Sequence, residues 1–184
     1  MPAPGERVID GPFLLAVGEL AARKNLPMLI KAFNAAALPE EMQLVLAGPT
    51  GYCGDEVLSL VGPRIHVLGS VDDATLAALY RDAVALCFPS FAEGFGLPVL
   101  EALQAGLPVV ASDIGPVRDL VDDAAVLLQP DDQQAWAAAL ERVVVDDGLR
   151  ESLITSGLQR AKAFTWSRTA ELTLTAYEKV LQCA

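Results

Sequence analysis

Short apolar runs alternate along this chain with longer segments in which apolar residues recur at helical spacing. That alternation is the mark of βαβ units built on a parallel sheet, because parallel strands need a crossover of helical length between them. The runs at 13–17, 43–47, 65–68, 85–88, 108–111 and 125–128 predict six strands. Helical periodicity between them predicts crossovers at 26–36, 55–60, 74–82, 98–105 and a short one near 117–121. Beyond Leu128 only helices are predicted, at 135–144, 149–162 and 167–182, with Asp131 and Gln134 spaced as a capping box before the first. The expected fold is a doubly wound, Rossmann-like parallel sheet with C-terminal helices, formed as one domain over 1–184 with a Pro/Gly-rich, loosely ordered leader up to Pro12. The last helix repeats Leu172, Tyr177, Val180 and Leu181 on one face, which asks for a partner surface.

Composition narrows the function. The chain has 184 residues and is 53% hydrophobic, enough apolar material for one large core. Its formal charge is −11, so a polyanion such as nucleic acid is repelled by the surface as a whole, while a small anion can still be held by cations and amides focused in one cleft. No apolar run approaches the roughly 20 residues of a membrane span. The first residues show no secretory signal pattern, and Cys53, Cys87 and Cys183 are odd in number and far apart, so three free thiols and a cytoplasmic location are expected.

The candidate chemistry sits in two loops. The segment Pro89-Ser-Phe-Ala-Glu-Gly-Phe-Gly-Leu-Pro-Val-Leu-Glu101 leaves a strand, crosses a glycine-rich turn and enters a helix near Pro98. Gly94 and Gly96 permit the turn, and the free N–H groups of Phe95, Gly96 and Leu97 then face outward at the positive end of a helix, where anions bind. Glu93 and Glu101 flank that end; beside a phosphate, carboxylates make sense as acceptors for sugar hydroxyls. The bland alternative is one solvated loop residue and one helix-face charge.

In the second loop, Val17-Gly-Glu-Leu-Ala-Ala-Arg-Lys-Asn25, Arg23 and Lys24 stand at a helix N-terminus, where the macrodipole disfavours cations by about 0.3–1 kcal/mol each. A bound diphosphate would reverse that sign; a solvated pair without a ligand is the alternative. Gly48, Gly51 and Gly54 follow the second strand as G-x-x-G-x-x-G, which lacks the dinucleotide spacing and reads as a turn with a backbone role. His66 lies inside a strand and is taken as structural, and Asp72, Asp73, Asp131 and Asp132 are taken as helix-capping acids.

Together, the two clusters resemble the C-terminal domain of the GT-B glycosyltransferases of family 4, the group 1 glycosyl transferases. The resemblance runs from about Phe13 to Leu181 and includes the E-x7-E motif from Glu93 to Glu101, the segment Ala-Gly-Leu-Pro-Val-Val-Ala-Ser-Asp after it, and a terminal Phe-Thr-Trp-Ser. It implies retaining, metal-independent transfer of a sugar from a nucleotide-diphosphate donor, with no cofactor. It assigns Glu93 to donor-sugar hydroxyls, Glu101 to the ribose, and the amides of Gly94, Phe95, Gly96 and Leu97 to sugar and phosphate. Arg23 and Lys24 are assigned to the diphosphate, with Gly18 opening their loop. Glu19 stands where many relatives carry Arg, and Asp119 where they carry Glu. The resemblance further implies an N-terminal, acceptor-binding domain that this chain lacks, with helix 167–182 packing back on it, so that the isolated chain binds donor without turnover. The alternatives are a non-catalytic module of the same fold, a GT-B epimerase or phosphorylase half, and, against the missing fingerprint, a dehydrogenase.

Overall fold

In a computed structural model, which describes residues 7–52 and 54–182, all six predicted strands form. They are β1 (Phe13–Val17), β2 (Gln43–Ala47), β3 (Ile65–Gly69), β4 (Ala85–Phe88), β5 (Val109–Ser112) and β6 (Val126–Leu128). Every pairing is parallel and the order across the sheet is β3-β2-β1-β4-β5-β6. The central strands read as unbroken apolar runs because both sheet faces are covered. Leu14, Ala16, Leu44, Leu46, Ala85 and Cys87 enter one core, while Phe13, Leu15, Val45, Ala47, Leu86 and Phe88 enter the other.

The helices are α1 (Leu26–Ala35), α2 (Gly54–Ser59), α3 (Asp73–Asp82), α4 (Leu97–Gln104), α5 (Gly115–Val121), α6 (Gln133–Val145), α7 (Asp147–Ala161) and α8 (Trp166–Gln182). The first face is closed by α1 and α6, through Leu29, Ile30, Phe33, Trp136 and Leu140. The second is closed by α3, α4 and α5, through Leu79, Tyr80, Val99, Leu103, Val117 and Leu120. Arg160 of α7 donates to the carbonyls of Asp119 and Leu120, occupying acceptors that the end of α5 leaves open.

Several expectations shift. The cap of α6 is Asp132, whose carboxylate accepts from the Ala135 amide at 2.9 Å, so the capping pair is displaced by one from Asp131 and Gln134. Asp72 caps α3 in the same way. The leader is not loose over its described part: Val8 and Ile9 pack against the second core, and the Asp10 carbonyl accepts from Gln43 Nε2 at 2.6 Å. Those two apolar residues had no place in a composition-based view of the leader, whose residues 1–6 lie outside the described ones. Cys87 is a buried free thiol whose pKa burial pushes up to about 12, whereas Cys53 and Cys183 lie outside the described residues. His66 sits on the edge strand β3, opposite Val45.

The last helix has the strongest amphipathic pattern and the least burial. Trp166, Leu172, Leu174, Tyr177, Val180 and Leu181 are all exposed, and α8 has no extensive contact with any other element.

Candidate active site at the strand-order reversal

Chain order reverses between β1 and β4. From β1 the chain crosses outward to β2, and from β4 it crosses the other way to β5. The loops that follow these two neighbouring strands therefore diverge and leave a crevice at the carboxyl end of the sheet, where open α/β sheets bind ligands. Both candidate clusters lie there. The backbone joins them, since the Phe91 amide donates to the Arg23 carbonyl at 2.9 Å.

Arg23 and Lys24 lie just before the N-terminus of α1, as expected. They end a short 3₁₀ turn (Ala22–Lys24), and Asn25, left-handed at φ 53, separates them from α1. Asparagine tolerates that conformation, and its side chain donates to the Pro130 carbonyl at 2.6 Å, pinning the loop to the segment after β6. Lys24 is thereby turned inward. Its side chain is 8% exposed, its ammonium lies 4.7 Å from the centroid of the Phe88 ring, and it meets Glu93 Oε1 at 2.6 Å. Arg23 is half-exposed and reaches the same oxygen at 2.9 Å. Two cations thus share one carboxylate, leaving a surplus positive charge in a chain whose net charge is −11. A surplus of this kind beside a buried ammonium suits an anion.

The β1 and β2 loops touch as well. A β-carbon on Gly48 would collide with the Gly18 carbonyl oxygen, so this first glycine of the triplet after β2 serves close backbone approach. Gly18 itself has a φ of 137°, and a β-carbon there would come within 3.0 Å of Lys24 Cε.

On the β4 side, Gly96 caps α4 in the left-handed region at φ 99, with Pro98 in the first turn. Among the described residues, the amides of Phe95, Gly96 and Leu97 donate to no protein acceptor. The Phe95 ring meets Phe164 edge-on at a centroid separation of 5.9 Å, which braces the loop from below. Glu101 lies one turn further along α4, exposed, and its Oε2 accepts from the Tyr80 hydroxyl at 2.8 Å.

The structure therefore gathers Gly18, Arg23, Lys24 and Glu93 in direct contact and places Gly94 to Leu97 beyond them. Glu101 belongs to a separate pair with Tyr80. Sequence reasoning missed Tyr80, which looks like one more core position on α3. It also missed Ser90, wholly buried, whose hydroxyl has no protein partner among the described residues and borders a cavity of about 10 Å³ shared with Lys24. A larger groove, about 1070 Å³, runs between α4 and α8 and is lined by Leu97, Glu101, Phe164, Trp166 and Leu172 among others. Among the described residues no group of three or more His, Cys, Asp or Glu is placed to hold a metal ion, and no helix is long and apolar enough to cross a membrane.

A six-stranded parallel sheet with this order, carrying a cationic pair and a helix N-terminus at its reversal point, defines a Rossmann-like domain. The sequence profile of the family Glycosyl transferases group 1 matches residues 4–160, and the chain belongs to that family. It is similar to the O-antigen chain mannosyltransferase B of Escherichia coli, with 36% identity over 90% of the chain and 45% of the relative. It is also similar to the phosphatidyl-myo-inositol mannosyltransferase of Mycobacterium leprae, with 35% identity over 86% of the chain and 44% of the relative. Among solved structures, a sucrose-phosphate synthase from Thermosynechococcus elongatus superposes with a TM-score of 0.83 at 28% identity, covering 95% of the chain and 47% of that structure. An α,α-trehalose-phosphate synthase from Burkholderia xenovorans shares the fold at a TM-score of 0.80 and 16% identity, over 91% of the chain and 44% of that structure. The chain spans less than half the length of each of these relatives, and its sheet is one Rossmann-like half of the GT-B fold.

Proposed function

We propose that this chain is the donor-binding, C-terminal half of a retaining glycosyltransferase that takes a nucleotide-diphosphate sugar without a metal ion, the acceptor being held by a second domain. The observation that carries this reading is the convergence of Lys24 and Arg23 on Glu93 at the sheet's reversal point, beside three unpaired amides. The diphosphate takes the cations and the end of α4, so negative charge that grows on the leaving group as the glycosidic bond breaks is met by groups already in place. Glu93, released from the cations by the incoming phosphates, accepts from donor-sugar hydroxyls and orients the sugar. Glu101 accepts from the ribose. The acceptor domain packs on the apolar face of α8, and the isolated chain, which we place in the cytoplasm, binds donor and transfers nothing.

A thermal-shift panel with UDP, GDP, ADP, their sugar conjugates and NAD, without added metal, tests the reading. Stabilisation by one diphosphate family is the expected result; a ligand at 100 times its Kd adds about 2.7 kcal/mol. Stabilisation by NAD alone would revive the dehydrogenase alternative. Glu93→Gln, which removes the negative charge that competes with the phosphates, is expected to tighten the bare nucleoside diphosphate by about 3- to 10-fold while erasing the preference for the sugar conjugate. Titration calorimetry on both ligands checks it. Weaker binding of the bare diphosphate would show that Glu93 does not compete at this position.

A further inference from the structure

The Tyr80–Glu101 pair is unlike the ion pairs around it. Glu101 is an exposed residue, yet its carboxylate is tied to the hydroxyl of a tyrosine that is only 5% exposed and belongs to another helix. Ordering an exposed glutamate costs side-chain entropy, and the cores on either side do not need its carboxylate for packing. The choice of partner also matters. Glu93 is neutralised by two cations, whereas the partner of Glu101 is a neutral donor, so its full negative charge is retained. Oε2 is occupied, and Oε1 has no protein donor among the described residues. A carboxylate held still, un-neutralised and with one oxygen free is built to accept from uncharged hydroxyls. It stands four residues into α4, about 6 Å along the axis from the free amides at its start.

We infer that Tyr80 is a positioning residue for ribose recognition, its buried hydroxyl fixing the Glu101 carboxylate so that the free oxygen meets the ribose hydroxyls of the nucleotide. The inference rests on the donor-binding reading and adds to it a residue on α3, the helix before β4. Burial first, then the hydrogen bond to Glu101 and that residue's charge, push the Tyr80 pKa upward, so the hydroxyl keeps its proton and donates at every physiological pH.

The test compares the nucleoside diphosphate that binds most tightly among UDP, GDP and ADP with its 2′,3′-dideoxy counterpart, by titration calorimetry on the wild-type chain, Tyr80→Phe and Glu101→Asp. The wild type is expected to prefer the ribose form by about 10-fold or more, the worth of a hydrogen bond to a charged acceptor. Tyr80→Phe keeps the ring in the core and loses the hydroxyl; it is expected to reduce that preference by about 3-fold or more, with dideoxy affinity unchanged. Glu101→Asp, whose carboxylate falls a methylene short of Tyr80, leaves the core intact and is expected to lose the preference in the same way, so the outcome does not depend on one variant's folding. A preference unchanged in either folded variant, or affinity for both ligands reduced alike, overturns the role of Tyr80 while leaving donor binding intact. A wild type that binds no nucleoside diphosphate overturns the donor-binding reading and this inference with it.

Discussion

Lys24→Met is expected to weaken a nucleoside diphosphate by about 30- to 100-fold while changing affinity for the matching nucleoside by less than about 3-fold, since a hydrogen bond from a charged donor is worth about 1.5–3 kcal/mol. Lys24 is the better target of the two cations because it is nearly buried, seated against the Phe88 ring, and 2.6 Å from Glu93. Half-exposed Arg23 is screened by solvent and carries less of the field. The same substitution leaves Glu93 facing Arg23 alone, and the chain is expected to lose about 2 kcal/mol of stability. A Lys24→Met, Glu93→Gln double variant separates the effects: most of the stability returns, and diphosphate binding does not. Calorimetry and thermal melts on the three proteins check both parts. Equal losses of nucleoside and diphosphate would mean that the substitution disturbs the fold and that Lys24 does not grip phosphate.

The second large effect is expected at a contact between two backbones. Gly48→Ala places a methyl group against the Gly18 carbonyl oxygen, and both glycines adopt positive φ, 152° and 137°. Neither backbone can yield without breaking the bonds that hold the loops together, namely Gly18 N–H to the Ala47 carbonyl at 2.9 Å and Leu20 N–H to the Pro49 carbonyl at 2.8 Å. A loss of about 3 kcal/mol or more is expected, or about 6–12 °C in Tm for a chain of this size. Donor affinity is expected to fall with it, because the loop that carries Arg23 and Lys24 starts at Gly18. Gly62→Ala is the control. Open space surrounds that glycine, so the melting temperature is expected to hold within about 1–2 °C. A Gly48→Ala variant as stable as the wild type would show that the two loops have room to part.

What the sequence made legible was whatever short-range physics decides. Six apolar runs became six strands, with ends displaced by at most a residue, because a sheet covered on both faces leaves few other uses for such runs. The clusters at 18–24 and 93–101 were readable because glycines, charges and a proline stood at fixed local offsets. Strand order was not readable, since it depends on which edges meet. Nor was the clamp on Glu93, whose partners lie 69 and 70 positions away. Tyr80 was hidden for another reason: on α3 it occupies the apolar face, and nothing in a helical pattern distinguishes a core tyrosine from one whose hydroxyl reaches out to a neighbouring helix. The Asp131 for Asp132 error arose from two adjacent acids, either of which satisfies the local rule.

The strand order also carries a consequence for how the chain is made. β1 is the first of these six strands to be synthesised, yet it ends in the middle of the sheet, between β2 and β4. During synthesis it can pair at once with β2 and, through it, β3, while its other edge stays bare until residues 85–88 emerge. The nascent chain therefore passes through a three-stranded half-sheet with an open apolar margin, the kind of edge that recruits strands from other chains. Lys24 and Glu93 sit on opposite sides of that seam. Their salt bridge forms only when the halves have joined, so ligand binding by a growing chain would mark the moment of closure.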